Sequence, residues 1–158
     1  MTRAPFQVLV FPYRFQPGTG LEYAVFRRAD LGFWQGIAGG GQDAETPLEA
    51  AKREVLEEGR IPRESRYWAL DSTATIPVVD IAGYLLWGDD VLVVPEHCFG
   101  VDARGLGITL SYEHLEFRWV AYEAARALLK YDSNKTALWE LDMTLRRPAS
   151  EDESGNVG

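Results

Sequence analysis

Residues 39–61, GGGQDAETPLEAAKREVLEEGRI, pass from three consecutive glycines to a strong helix signal within a few positions. Thr46-Pro47-Leu48-Glu49 reads as a capping box, with Thr46 as N-cap, Pro47 at the first helical position and Glu49 at the third. Leu48, Ala51 and Val55 recur on one side at helical spacing, and Gly59 is placed to end the helix. Three carboxylates, Glu54, Glu57 and Glu58, crowd its last turn. Spacings of three and four put them on one face, with Cβ atoms about 5–6 Å apart. Anions at a helix C-terminus oppose the macrodipole, each by about 0.3–1 kcal/mol, and like charges at this spacing repel. A helix built for stability would carry lysine or arginine there, so the arrangement points to a site. A divalent cation accounts for it, since magnesium takes one or two carboxylates and leaves positions for water and substrate phosphate. A solvated acidic face is the competing reading of the three glutamates alone.

The wider spacing favours the metal. Gly39, Glu45, Arg53-Glu54-Val55, Glu57-Glu58 and Ile61 match the signature of the Nudix family at every specified position but one. Arg60 stands where that signature has its last glycine. The resemblance implies an α/β Nudix fold, a mixed sheet sandwiched between helices. It also implies magnesium, with manganese as a substitute, held by Glu54, Glu57 and Glu58. Arg53 would orient Glu57, and Glu45 would act from the loop as a supporting ligand or behind the ligands. Gly39 and Gly40 allow close backbone approach to loop and phosphate.

Other stretches resemble the bacterial dihydroneopterin triphosphate pyrophosphatases, also called dATP pyrophosphohydrolases. These are Arg27-Arg28 with Asp30 and Phe33-Trp34-Gln35, then Glu113-His114-Leu115 with Arg118-Trp119, and Ser133-Asn134-Lys135. Carried over by position, Glu113 would bind metal or serve as general base. Arg27, and more loosely Arg3, would contact substrate phosphate. Ala38 and Tyr131 depart from that group, which has threonine and serine there. Phe33 and Trp34 are candidates to stack on a base or pterin, or to pack in the core. Glu96-His97-Cys98 offers metal-ligating atoms, but residues in a strand alternate in direction and no fourth ligand follows.

Outward from these motifs, strand-like runs fall at Gln7–Pro12, Leu21–Phe26, Phe33–Ala38, Tyr67–Val79, Ile81–Trp87, Val91–Val94 and Leu115–Val120. In the last, Leu115, Phe117 and Trp119 alternate with polar residues. Tyr122–Lys130 reads as a helix, and Ser133 is placed to cap another running to about Leu145. Residues 1–147 are expected to form one domain and residues 148–158, poor in apolar side chains, a disordered tail. The formal charge of −8 argues against backbone-driven nucleic-acid binding. No apolar run approaches the roughly 20 residues of a membrane span. The lone Cys98 gives no sign of an oxidising compartment, so a cytoplasmic location is the expectation.

The expected activity is hydrolysis of a diphosphate linkage in a small phosphorylated metabolite, dihydroneopterin triphosphate or a nucleoside triphosphate, to monophosphate and pyrophosphate. ADP-ribose or diadenosine polyphosphate hydrolysis is the alternative; Pro77 lies near a proline associated with ADP-ribose hydrolases. A non-catalytic nucleotide sensor is the reading from another class, disfavoured because every carboxylate of the signature is present.

Overall fold

The computed structural model describes residues 2–148, so the expected tail beyond Pro148 lies outside the described residues. Seven strands form one mixed sheet: β1 (Arg3–Gln16), β2 (Gly20–Arg28), β3 (Trp34–Gln35), β4 (Ile37–Gln42), β5 (Tyr67–Pro77), β6 (Val93–Asp102) and β7 (His114–Val120). Four helices accompany it: α1 (Pro47–Gly59), α2 (Val78–Ala82), α3 (Tyr122–Leu128) and α4 (Asp132–Arg146). The order β3-β2-β1-β6-β5 forms the main path, with β4 also paired to β1 and β7 to β2. The β1–β6 pairing is parallel and the others antiparallel.

Period-two alternation in β1 explains the layering. Val8 and Val10 face one side, where they pack with Phe26, Phe99 and Val101 against Ala50, Ala51 and Val55 of α1. Leu9, Phe11 and Tyr13 face the other, against Ala125 of α3 and Ala137, Leu138 and Leu141 of α4. The sheet is therefore covered on both faces by helices, as the α/β reading requires. No helix among the described residues is long and apolar enough to cross a membrane.

Several expected boundaries move. The glycine run does not end a strand. Gly39, Gly40 and Gly41 lie inside β4, and the break falls earlier, at Gly36 between β3 and β4. A Cβ on Gly36 would come within 2.9 Å of Leu9 Cδ1 and the Val10 carbonyl oxygen, so the chain crosses β1 there only as glycine. The expected strand at Ile81–Trp87 is replaced by α2 and turns. Gly83 and Gly88 both have positive φ, 80° and 100°, which ends regular structure at each. The run read at Val91–Val94 is only the start of β6. Pro95 is tolerated because pairing with β1 starts one residue later, at Gln7–Glu96. In β7 a bulge shifts the register between Arg27 and Arg28, so His114 is buried and Leu115 is 57% exposed, against the expected alternation. Tyr131, not Ser133, occupies the N-cap of α4, with no side-chain cap bond.

Candidate active site

Helix α1 begins as its sequence dictates. The Thr46 side chain accepts from the Glu49 amide at 3.2 Å, and the Thr46 amide donates in return to the Glu49 carboxylate, also at 3.2 Å. At the other end Gly59 is still helical, and Arg60 takes the left-handed cap with φ 59° and ψ 31°. Gly59 is buried, with its Cα directed at Ile37 and Ile108, so packing claims it rather than the turn. Arg60 thus holds the backbone conformation that the missing signature glycine would adopt freely.

The last turn brings together the three carboxylates that the sequence singled out. Glu54, Glu57 and Glu58 each offer an oxygen, and these atoms lie within 4.8 Å of one another. Glu54 and Glu58 are buried, and Glu57 is exposed. Hard oxygen donors converging from one side, with an exposed member at the rim, fit the half-shell a divalent cation takes from protein.

Arg53 ties this turn to the loop before it. Its Nε and Nη2 reach the two oxygens of Glu45 at 2.8 and 3.0 Å, and Nη2 also donates to the Gly40 carbonyl at 2.8 Å. Nη1 donates to Glu54 at 3.0 Å and more weakly to Glu57 at 3.4 Å. The strong ties of Arg53 are thus to Glu45 and Glu54, and the expected i,i+4 bond to Glu57 is its weakest. Both Glu45 oxygens are engaged, one of them also by the Gln42 amide at 2.8 Å. Glu45 consequently buttresses Arg53 and stands outside the converging trio, next to the loop from which it was expected to act as a supporting ligand or behind the ligands.

Electrostatics separates the glutamates. Burial raises Glu54 to about 7; Arg53 opposes the rise, and the charges of Glu57 and Glu58 add to it. Burial also pulls Glu58 upward, but the close approach of His114, Ser111 and Glu113 outweighs it and holds Glu58 below the usual range. Ser111 Oγ donates to Glu58, and His114 Nδ1 stands 3.4 Å away, too poorly aligned to count as a full hydrogen bond. Glu113, on the loop before β7, is raised by burial and then by the charge of Glu58 and a hydrogen bond to it. The sequence selected Glu113; Ser111 carried no signal beyond its position two residues earlier.

On the α4 side of the sheet lies a cavity of about 650 Å³. Gly39 borders both regions. It lines the cavity, and a Cβ added to it would fall on the Glu54 carboxylate. Arg3, Phe33 and Gly40 line the cavity, and so do the two positions that depart from the group pattern, Ala38 and Tyr131. Phe33 meets Tyr131 edge-on, ring centroids 5.2 Å apart. Arg27 and Trp34 are not brought there. Arg27 donates to the Gly32 carbonyl at 3.1 Å and pairs with Glu116, whereas Trp34 packs with the α3–α4 core beneath Arg118. Arg28, at the end of β2 beside Asp30 and Phe33, lines the cavity, and Arg27 does not. Gln7, Glu96 and Asn134 also line the cavity. A carboxylate inside the apolar strand Val93–Val101 was the available signal for Glu96, read above only for zinc.

A carboxylate-lined helix end and a clamped arginine thus adjoin a cavity through Gly39. The NUDIX domain model matches residues 8–139, and the chain belongs to the Nudix family of hydrolases. It is 29% identical over 123 residues to the dihydroneopterin triphosphate diphosphatase of Haemophilus influenzae, across 77% of this chain and 78% of that one. A crystal structure from Listeria monocytogenes assigned to the NUDIX hydrolases superposes with a TM-score of 0.80 at 43% identity, covering 90% of this chain and 95% of that one. The E. coli dihydroneopterin triphosphate pyrophosphohydrolase gives 0.73 at 26% identity, with 91% and 99% covered.

Proposed function

We propose that the chain is a magnesium-dependent pyrophosphohydrolase that cleaves a ring-bearing triphosphate, dihydroneopterin triphosphate before others, into a monophosphate and pyrophosphate. The observation that carries this is the convergence of Glu54, Glu57 and Glu58 on one side of Gly39, with a cavity large enough for a fused ring on the other. Likeness to diphosphatases of that substrate supports the choice of ring.

Glu54, Glu57 and Glu58 would hold the cation, which when bound supplies charge neutralisation on the phosphates and Lewis acidity. Arg53 fixes Glu54 through one hydrogen bond and, through Glu45 and the Gly40 carbonyl, fixes the helix against the glycine strand. Gly39 and Gly40 leave room for the polyphosphate to run from the cavity to the carboxylates. Arg3 and Arg28 at the cavity rim oppose the remaining phosphate charge. Glu113, on the loop before β7, would accept the proton of the attacking water, and Ser111, which donates to Glu58, keeps that carboxylate oriented.

Equal concentrations of dihydroneopterin triphosphate, dATP, GTP and ADP-ribose, incubated together with magnesium, test the reading. Dihydroneopterin triphosphate should disappear first, with pyrophosphate as co-product. Preferential loss of ADP-ribose or dATP would leave the reaction class standing and remove the pterin assignment. No hydrolysis of any would remove both.

A further inference from the structure

The cavity floor is a row of residues in register across four strands: Gly40 of β4, Gln7 of β1, Glu96 of β6 and Ala74 of β5. All four line the cavity. The outer two have no side chain beyond Cβ, so the floor presents one amide and one carboxylate, side by side. Glu96 is only 6% exposed. Among the described residues no hydrogen bond or ion pair reaches its carboxylate, and burial alone raises it to about 7. The cations at the rim do not compensate it; Arg28 is engaged with Asp30, Nε to Oδ1 at 2.8 Å.

The two residues that follow Glu96 on the same face of β6, Cys98 and Gly100, are buried in the apolar layer beneath α4. Glu96 therefore stands where the core ends and the cavity begins. An unpaired carboxylate there opposes folding, and a glutamine or apolar side chain would not. Nor does it have the company of a metal site: the one group of three or more acidic or metal-ligating residues able to hold an ion among the described residues is Glu54, Glu57 and Glu58. What it lacks is a pair of donors from within the cavity.

We infer that Glu96 reads the ring edge of the ligand, accepting from a ring N–H and an adjacent exocyclic amino group, the 2-amino-4-oxopyrimidine edge common to pterins and guanine. The two carboxylate oxygens match two neighbouring donors in one plane, and a charge-assisted pair is the strongest form of such recognition. Gln7, beside it, can donate to the ring's oxo group. Adenine offers a donor next to an acceptor, so its ring nitrogen would face a carboxylate oxygen lone pair to lone pair. Hypoxanthine keeps the ring N–H and loses the amino group. This selectivity rests on the reading that the cavity takes the ring of the substrate. It goes further in naming the edge that is read and the residue that reads it.

The test uses binding without turnover, with guanosine, inosine and adenosine 5′-(α,β-methylene)triphosphates as probes against the full chain. Wild type should bind the guanosine probe about tenfold or more tightly than the inosine probe, and the adenosine probe most weakly. Glu96→Gln should bring the three affinities within about threefold of one another, mainly by weakening the guanosine probe. A wild-type preference smaller than threefold, or a preference that survives in Glu96→Gln, would overturn the inference. The variant removes a buried charge, so its melting temperature should hold or rise, and loss of folding is not the expected confounder. Hydrolysis of GTP with magnesium is measured in parallel. Its absence would refute the proposed activity and leave the binding order to decide the role of Glu96.

Discussion

Replacing Gly39 by alanine adds one methyl group at the point where strand β4 passes the Glu54 carboxylate. The new Cβ would lie 2.5 Å from Glu54 Oε2, with the carboxyl carbon nearer still. Non-bonded atoms rest at about 3.5–4.0 Å, so the carboxylate must retreat by about 1 Å. Gly39 is not among the positive-φ residues, and the backbone itself accepts alanine there. The damage is therefore directed at the position of one proposed ligand. A displacement of about 1 Å in a reacting constellation can lower turnover about a hundredfold, equivalent to about 2.7 kcal/mol of transition-state stabilisation. Gly40→Ala is the internal control. Its Cβ would meet only Gln7 Nε2, at 3.1 Å, the movable end of a long side chain. Steady-state pyrophosphate release across a magnesium titration reads both variants. Gly39→Ala should lose about a hundredfold in kcat and require more magnesium, while Gly40→Ala, which leaves Glu54 in place, should keep the wild-type magnesium requirement. Near-normal turnover and magnesium requirement in Gly39→Ala would refute the placement of Glu54 in the metal site.

Two predictions concern stability. Arg60 occupies the left-handed cap at φ 59°, so Arg60→Gly should raise stability by about 1 kcal/mol in urea unfolding with activity retained; a destabilised variant would show that the Arg60 side chain contributes more than its backbone costs. Burial holds the Glu96 carboxyl at about 7 against 4.5 for the free group, so the folded chain binds more protons than the unfolded one between those values. Its contribution is thus most favourable below about pH 4.5 and declines as pH rises through 7, by up to about 3 kcal/mol. Glu96→Gln should accordingly exceed wild type in stability by a margin that widens from pH 5 to pH 8, and an equal margin at both would contradict the assignment.

The capping box, the carboxylate-bearing face of α1 and the glycine run were legible in the sequence because each rests on interactions between residues close along the chain. Thr46 and Glu49 bond as their spacing predicts, and Glu54, Glu57 and Glu58 converge because helical geometry leaves no alternative. What could not be read depends on partners far away in sequence. Arg27 is held by the Gly32 carbonyl and by Glu116 of β7, the second a partner far along the chain. The burial of His114 instead of Leu115 follows from a bulge against β2, which alternation within β7 does not report. That Arg53 engages both oxygens of Glu45 depends on the path of the loop between β4 and α1. Gln7 and Glu96 become neighbours only through the parallel pairing of β1 with β6, strands separated by most of the chain. The local rules located the carboxylate cluster of α1, and the sheet register brought together Gln7 and Glu96 in the adjoining cavity.

The central claim is that the α1 carboxylates hold the cation on which hydrolysis depends. Its most direct test is pyrophosphate release from a hydrolysed triphosphate, measured as a function of magnesium concentration for wild type, Glu54→Gln and Glu58→Gln. Each substitution keeps size and helix propensity, removes one charge and relieves repulsion in the last turn, so folding should be intact. Wild-type activity should require magnesium and vanish with a chelator. Each variant should turn over roughly a thousandfold more slowly at saturating metal, the equivalent of about 4 kcal/mol. Magnesium-dependent activity near the wild-type level in both variants would contradict the account.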